Sequence, residues 1–293
     1  MPGADARLDA AADAPPGAGM WQVAPIPPTT TADLWGVFAF GPGDEWVAGT
    51  TGAIQHFDGS TWTTITSPAT NTLFVFWGAA SNDLWLVGRS CVGMRWNGSA
   101  WTPTTVSGCS GNQDLFSVDG SSATDVWITG TMGNIGQYTG TWTNRSTGNV
   151  DYWDVHVTSA SDVVAVGTQG TIEHWNGSVW QPQTSGVAVT LASIASPAPG
   201  EYWAVGGSGT ILHGTAGTWT QVTSPTTSFL YAVLARSTSD VWAVGSGGVI
   251  VHYDGASWTQ QPSPTTNTLR NLTAVPAGGL LAVGDAATLL VHP

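Results

Sequence analysis

The sequence contains no lysine, and this absence is the first constraint on what the protein binds. Six arginines stand against nineteen acidic residues in a chain of 293, which gives a formal net charge of −13 at pH 7. A negative surface field repels the phosphates of nucleic acids, which their binding proteins neutralise with lysine and arginine. The composition therefore argues against nucleic acid as a partner.

Long apolar runs are also missing. No stretch of eighteen consecutive apolar residues occurs, so no transmembrane segment is predicted. Only 9% of the residues are charged, but the apolar positions repeat regularly, which is not typical of a disordered chain. The sequence thus predicts a folded chain without a membrane-spanning helix.

Tryptophan, by contrast, is abundant, and its spacing indicates a repeat. Each of the last six tryptophans of one column follows a turn, as Trp258 follows Asp254-Gly255, so the unit is a β-hairpin with its neighbours rather than a helical pair. Seven of the seventeen tryptophans recur at intervals of 38 to 41 residues: Trp21, Trp62, Trp101, Trp142, Trp180, Trp219 and Trp258.

Further columns divide each repeat into four strands. A second column holds Trp46, Trp85, Trp127, Val164, Trp203, Trp242 and Leu281. Twelve residues before each member comes Leu34, Leu73, Leu115, Tyr152, Leu191, Leu230 or Leu269. In the sixth repeat, residues 230–236, 241–245 and 249–253 are predicted strands, and Trp258 opens the fourth. Seven such repeats predict an all-β, seven-bladed β-propeller with four-stranded blades.

The two ends of the sequence predict how the ring closes. The last repeat stops at His292-Pro293 without an outer-strand tryptophan, whereas residues 20–23 form an outer strand, with Trp21, that has no inner strands before it. We therefore expect the N-terminal strand to complete the C-terminal blade, which leaves no unpaired strand edge in the ring. The prediction is one propeller domain over residues 20–293.

Residues 1–19 differ from the repeats in composition. They are rich in Ala, Asp, Pro and Gly and lack aromatic residues, which predicts a flexible acidic linker. The segment resembles the one that follows the lipidated cysteine in exported lipoproteins of some Gram-negative bacteria. That resemblance implies a periplasmic, outer-membrane-tethered or extracellular protein with a lipid anchor upstream of the linker.

The only two cysteines, Cys91 and Cys109, are predicted to form a disulfide. Cys91 falls in the loop between the second and third strands of blade two, and Cys109 falls in the connection to blade three. Both loops project from the same face of a propeller, so they can pair, which indicates an oxidising compartment. The alternative is two unpaired thiols, since a zinc site would need further paired ligands.

Two other columns look chemical but have structural explanations. Five of the six histidines lie in or beside one column: His56, His174, His213, His252 and His292. Blade widths separate them, so they cannot converge on one metal ion, and we expect each to form hydrogen bonds between adjacent blades. The acidic column before the second strand is interpreted as turn chemistry, with carboxylates that accept backbone N–H bonds: Asp44, Asp83, Asp125, Asp162, Glu201 and Asp240. No metal or other cofactor is predicted.

The strongest candidates for binding lie directly after the first residue of each inner strand. Because the inner strands of a propeller start at one face, this column is expected to surround one mouth of the central channel. A rim of aromatic faces with one arginine can stack on sugar rings or grip a peptide. The candidate ligand-binding residues are Trp35, Phe74, Phe116, Trp153, Tyr231 and Arg270, with Ala192 at the same position in blade five. The alternative is that these side chains only pack between blades.

The Asp-Gly-x-x-Trp hairpins, such as residues 58–62 and 254–258, resemble the Asp-box (BNR-type) repeats of bacterial exported propellers. They are also similar to the hairpins of seven-bladed propeller lectins and tectonins, in which sugars bind between blades. In the usual Asp-box one residue separates Asp from Gly, whereas here they are adjacent. The repeats of the lectins and tectonins tend to be longer than those of this chain, so no sugar-binding residue is transferred. Sialidases share the box, but that resemblance implies an arginine cluster, and the arginines here occupy non-equivalent positions in their blades.

Three functions follow as hypotheses. The favoured one is a non-catalytic, exported, lectin-like propeller for a neutral glycan, because neutral connections such as residues 66–71 and 264–267 lie on the same face as the rim. The second is a cell-envelope scaffold that binds a protein or peptide at that rim. The third is a hydrolase or lyase with a site at the channel mouth, formed by His156 with Asp151 or Asp154.

Overall fold

A computed structural model of the chain describes residues 19–26 and 32–293. The predicted linker, residues 1–19, lies outside the described residues except for Gly19. The described residues form seven antiparallel sheets of four strands each. The predicted seven-bladed β-propeller is therefore confirmed.

In blades one to six the strands follow the chain from the inner to the outer edge. The chain begins with β1 (Gln22–Val23), and blades one to three then contain β2 (Leu34–Gly41), β3 (Asp44–Gly49), β4 (Ile54–Phe57), β5 (Trp62–Thr64), β6 (Leu73–Ala80), β7 (Asp83–Gly88), β8 (Gly93–Trp96), β9 (Trp101–Pro103), β10 (Leu115–Ser122), β11 (Asp125–Gly130), β12 (Ile135–Tyr138) and β13 (Trp142–Asn144). Blades four to seven contain β14 (Tyr152–Ser159), β15 (Asp162–Gly167), β16 (Ile172–Trp175), β17 (Trp180–Gln183), β18 (Leu191–Ala198), β19 (Glu201–Gly206), β20 (Ile211–Thr215), β21 (Thr218–Gln221), β22 (Leu230–Ser237), β23 (Asp240–Gly245), β24 (Ile250–Tyr253), β25 (Trp258–Gln261), β26 (Leu269–Ala274), β27 (Leu280–Gly284) and β28 (Thr288–His292).

The N-terminal strand closes the ring as predicted. Strand β1 pairs antiparallel with β28, so that Gln22 faces Val291 and Val23 faces Leu290, and it completes the sheet of β26, β27 and β28. The strand is two residues long, shorter than the four residues predicted. Trp21 precedes it and is 5% exposed, with its ring 5.8 Å from that of Trp242.

A glycine ends the second strand of each blade and lies against the backbone at the start of the inner strand. At Gly49 in blade one, a Cβ atom would collide with the carbonyl oxygen of Asp33, immediately before the inner strand. The backbone at this point donates from Thr50 N–H to that same carbonyl, at 3.0 Å. The absence of a side chain at Gly49 therefore allows the backbone to approach closely just before inner strand β2 begins.

The carboxylates of the acidic column form hydrogen bonds with side chains, not with backbone N–H groups, so the predicted bonding was wrong. In blade six, Asp240 Oδ1 accepts hydrogen bonds from Trp242 Nε1 at 2.6 Å and pairs with His252 Nε2 at 2.9 Å. Trp242 and His252 face each other across two paired strands, and their rings stack with centroids 4.0 Å apart. Strand register thus brings both nitrogens to one carboxylate.

The histidine column also differs from its prediction, because its bonds lie within a blade. In blades one, four and five, His56, His174 and His213 pair with the acidic residue twelve positions earlier, at 2.8 to 3.0 Å. Bonds between blades use other side chains: Tyr202 Oη donates to Asp162 at 2.7 Å, for example. A histidine on the third strand faces its own second strand, which explains why it does not reach the neighbouring blade.

Cys91 and Cys109 form the predicted disulfide, with their Cα atoms 5.8 Å apart. The bond links the loop between the second and third strands of blade two to the connection between blades two and three.

The helices in the described part of the chain are single 3₁₀ turns, and none is long and apolar enough to cross a membrane.

Candidate binding site at one mouth of the channel

The candidate column turns toward the channel because of a repeated irregularity in the inner strands. In β10, Leu115 is fully buried between blades, and the pairing with β11 shifts register between Leu115 and Ser117. Phe116 therefore falls at a bulge, and bulges re-aim side chains. The same shift occurs in the inner strand of every blade, which places the whole column at one mouth.

At this mouth the aromatic side chains form an unbroken circuit. Ring centroids are 5.3 Å apart for Trp35 and Phe74, 5.9 Å for Phe74 and Phe116, and 5.3 Å for Phe116 and Trp153. We call this circuit the aromatic belt, and it consists of Trp35, Phe74, Phe116, Trp153, Phe229, Tyr231 and the guanidinium of Arg270. All six predicted residues belong to it.

Phe229 is a belt member that the sequence analysis missed. Its ring lies 6.1 Å from Trp153 and 4.5 Å from Tyr231, so it joins blades four and six past blade five, where the column holds only Ala192. Phe229 precedes its inner strand, at a position that holds Asp or Thr in the other six repeats. Phe229 is the single aromatic residue in this otherwise polar column, and from that difference the sequence could have identified it.

Arg270 closes the belt and is fully engaged inside it. Its guanidinium lies 4.2 Å from the ring centroid of Trp35 and 4.8 Å from that of Tyr231. It also donates two hydrogen bonds to Asp285, Nε to Oδ1 at 2.8 Å and Nη2 to Oδ2 at 3.0 Å. Such a bidentate pair fixes the guanidinium plane against the two rings.

Behind the belt lies a cavity of about 530 Å³ that follows the channel inward. Blades three to five line it with Ser117, Asp119, Asp154, His156 and Ser193, whereas blades one, two and six line it with Phe38, Trp77 and Leu234. The cavity therefore has a polar wall and an apolar wall. Its size is that of sites for small molecules or for a few inserted side chains.

His156 pairs with Asp119, not with Asp151 or Asp154, which the hydrolase or lyase hypothesis names as its partners. Its Nδ1 lies 3.2 Å from Asp119 Oδ2, and its side chain is 28% exposed to the channel. Burial lowers the pKa of His156, but the hydrogen bond to Asp119 and the charges of Asp119 and Asp154 outweigh it, so the net pKa is raised. Among the described residues, no hydroxyl or thiol forms the hydrogen bond with His156 by which a base activates a nucleophile.

The two acids proposed as partners of His156 have other roles. Asp151 Oδ1 accepts the backbone N–H of Met132 at 2.8 Å, which fastens a loop of blade three to the start of blade four. Asp154 accepts Ser117 Oγ at 2.6 Å and the N–H groups of Val155 and Ile194, both at 2.9 Å. Burial raises the pKa of Asp154, and these hydrogen bonds partly oppose the rise.

Within the described residues, no group of three or more His, Cys, Asp or Glu side chains is placed to hold a metal ion. The polar groups of this cavity supply hydrogen-bond donors, acceptors and charges. Together with the aromatic faces they can bind and orient a ligand.

Solved structures share this architecture. The structure described as "YCF48 bound to D1 peptide" has a TM-score of 0.76 and 17% identity, covering 93% of this chain and 96% of that one. YCF48 from Cyanidioschyzon merolae gives 0.75 and 18%, covering 94% and 99%, and the WD40 β-propeller domain of Doa1 gives 0.81 and 15%, covering 92% and 96%. No protein-family model and no curated protein matches the sequence. At these identities the likeness establishes the shared β-propeller fold.

Proposed function

We propose that this chain is a binding propeller whose ligand enters the channel mouth through the aromatic belt, and that the ligand is a segment of another protein. The observation that carries the proposal is the closed belt itself, in front of a cavity of about 530 Å³. Large rigid aromatic side chains contribute much contact area at a low cost in conformational entropy. A cavity with one apolar and one polar wall suits an inserted side chain better than a flat surface would.

The comparison with YCF48 supports a peptide as the ligand. That propeller has the same overall architecture and has been solved with the D1 peptide bound. A ring of blades presents a concave channel mouth wherever it occurs, and peptide segments are among the ligands that fit such a mouth. The aromatic belt is the feature of this chain that would contact one.

A neutral glycan is the second candidate ligand. Trp35 and Trp153 have indole rings of the kind that stack on sugars, and the belt lies on the face that carries the Thr-, Ser- and Asn-rich connections. Such connections offer neutral hydrogen-bonding groups for sugar hydroxyls. A glycan would occupy the same site at the aromatic belt as the proposed peptide.

The proposal includes the compartment in which the propeller works. A Cys91–Cys109 disulfide persists in oxidising compartments and supports an exported protein. In this reading residues 20–293 act as one domain, and the acidic linker connects it to a lipid anchor or releases it outside the cytoplasm. The Asp-box likeness of the hairpins belongs to the same proposal.

A paired array experiment tests the site and its ligand class. The purified protein is applied to a random-peptide array and to a broad glycan array, beside a Trp35→Ala/Trp153→Ala variant. We expect selective binding on the peptide array, reduced at least about tenfold in the variant, since hot-spot aromatics commonly contribute 2 kcal/mol or more. Trp62→Ala on the outer strand β5, away from the mouth, is the matched control and should bind normally.

The outcomes separate the candidates. Selective glycan binding that is lost in the double variant would establish a lectin instead of a peptide-binding propeller. Blank arrays, or binding that survives in the double variant, would refute the assignment of the site to the belt. Circular dichroism of each variant shows that the fold is retained.

A further inference from the structure

The aromatic belt already holds one cation, which belongs to the protein. Arg270 lies against Trp35 and Tyr231 at 4.2 and 4.8 Å, and Asp285 balances its charge. A cation over aromatic faces with a carboxylate beside it is a recognised mode of binding. One arc of the belt is thus a filled cation site.

The opposite arc has the same aromatic construction without a cation. Phe74, Phe116, Trp153 and Phe229 follow one another with centroids 5.3 to 6.1 Å apart. The last of these distances joins Trp153 to Phe229. Among the described residues, the guanidinium groups that lie over rings are those of Arg95, Arg145 and Arg270, and none lies over this arc.

Asp154, a carboxylate that forms no ion pair among the described residues, lies beneath this arc. Asp154 follows Trp153 in the chain, and Ser117, which follows Phe116, donates to it at 2.6 Å. The neighbouring Asp119 is paired with His156, whereas no arginine or histidine of the described residues forms an ion pair with Asp154. A partly desolvated carboxylate gains from an incoming cation, because the cation restores the interaction that water supplied.

Other carboxylates around the channel mouth also favour a cationic ligand. Carboxylates of Asp33, Asp114, Asp151 and Asp285 flank the starts of inner strands or the adjoining loops. Of the described residues, the arginines beside these carboxylates are paired: Arg89 with Asp114 at 3.6 Å, and Arg270 with Asp285 at 2.8 Å. With a net charge of −13 and no lysine, the chain attracts cations to this face at long range.

We propose that the arc of Phe74, Phe116, Trp153 and Phe229 binds a basic side chain, arginine or lysine, of the partner segment, with Asp154 as its counter-charge. This inference rests on the proposed function, since it names the group that enters the same mouth. The guanidinium or ammonium group lies on the faces of Phe116 and Trp153, in the way that Arg270 lies on Trp35 and Tyr231. The apolar wall of the cavity takes the aliphatic part of the side chain.

Matched peptides test the inference. Peptides selected on the array are resynthesised with arginine, lysine, citrulline or glutamate at each position in turn, because citrulline has the shape of arginine without its charge. We expect arginine and lysine at one position to bind at least about tenfold tighter than citrulline, measured by calorimetry. Asp154→Asn should abolish that preference, whereas Asp254→Asn, which removes the same charge from an exposed outer turn, should retain it.

A second variant guards against a folding defect at Asp154. Trp153→Leu removes the aromatic face but keeps an apolar side chain, and it should also reduce the preference for arginine over citrulline. Citrulline binding as tightly as arginine, or a preference that survives both Asp154→Asn and Trp153→Leu, would overturn the inference while leaving a peptide-binding mouth in place. Peptide arrays without any selective binding would refute the proposed function and this inference together.

Discussion

At the scale of single residues, one carboxylate organises each of the first six blades, and it does so with different partners. In blade six Asp240 joins an indole and an imidazole, whereas in blade two Asp83 accepts two hydrogen bonds from Arg95, at 2.6 and 2.8 Å. Arg95 then lies 4.8 Å from the ring centroid of Trp85. The planar guanidinium of Arg95 and the planar imidazole of His252 thus occupy equivalent places over the second-strand tryptophan of their blades. In each blade the acid of the same column holds the planar group.

Replacing Asp240 by alanine should destabilise the protein by roughly 1–2 kcal/mol. The change leaves Trp242 Nε1 and His252 Nε2 without their acceptor, and the cost is at the lower end of the usual range because the His252 side chain is 24% exposed. Chemical denaturation measures the loss. Asp240→Asn keeps an acceptor oxygen and should recover much of the stability. Equal losses in the two variants would contradict this role for the hydrogen bonds.

The sequence predicted six of the seven belt members, because a fixed distance from the start of each strand also fixes the face on which a side chain lies. It did not predict Phe229, which contacts Trp153 past blade five, where the column holds the small side chain of Ala192. It also missed the pairing of Asp119 with His156. These residues lie 37 positions apart, and their contact depends on the angle between blades, which no repeat pattern contains.

At the scale of the hairpin, one side-chain oxygen holds the outer turn in blades one, two, four and six. Asp254 Oδ1 accepts the N–H groups of Ala256 and Ser257, both at 2.9 Å, and Asn97 Oδ1 accepts those of Ser99 and Ala100 at 3.0 and 2.9 Å. The bond from Ser257, followed by that from Ala256, lowers the pKa of the Asp254 carboxyl. The amide at Asn97 makes the same bonds and does not titrate.

Replacing Asp254 by asparagine should therefore change how stability depends on pH. Because the folded-state pKa of Asp254 is lowered, its contribution is present above the unfolded pKa of about 3.9 and is lost as pH falls through the folded value. Melting temperatures measured at about pH 7 and about pH 3 should show a difference between parent and variant that shrinks at the acid end. Asp254→Ala, which has no acceptor, should melt lower than Asp254→Asn at neutral pH. A parent–variant difference that is independent of pH would count against the ionised acceptor.

Strand boundaries were predicted to within a residue or two, because turn residues punctuate the repeats. The inner strand of blade six was expected over residues 230–236 and extends to Ser237, and its third strand begins at Ile250 rather than at Val249. The N-terminal strand was the largest error. Only Gln22 and Val23 form the ladder, since the outer edge of a blade needs little pairing once its tryptophan is buried.

At the scale of the whole molecule, the ring is closed by non-covalent contacts between the two ends of the described chain. Strand β1 adds to β28, Ala24 N–H donates to the Leu289 carbonyl at 2.9 Å, and inner strands β2 and β26 pack side by side. The blade count followed from the sequence because the missing outer strand at one end equals the extra strand at the other. An unclosed ring would expose the edge of β28 to pairing with another chain.

Trp21 is the main apolar anchor of this closure, and replacing it by alanine should open the ring. Its side chain is 5% exposed and lies against Trp242 and His292, with centroids 5.8 and 5.2 Å away. Loss of a buried tryptophan costs about 3–5 kcal/mol, far more than two residues of ladder can offset. We expect a lower melting temperature and, because the β28 edge is freed, concentration-dependent association in light scattering. Met20→Ala is the matched control, since Met20 is 53% exposed, and it should behave as the parent does. A Trp21→Ala variant that melts with the parent and associates no more than the parent does would show that the blades hold the ring together without this strand.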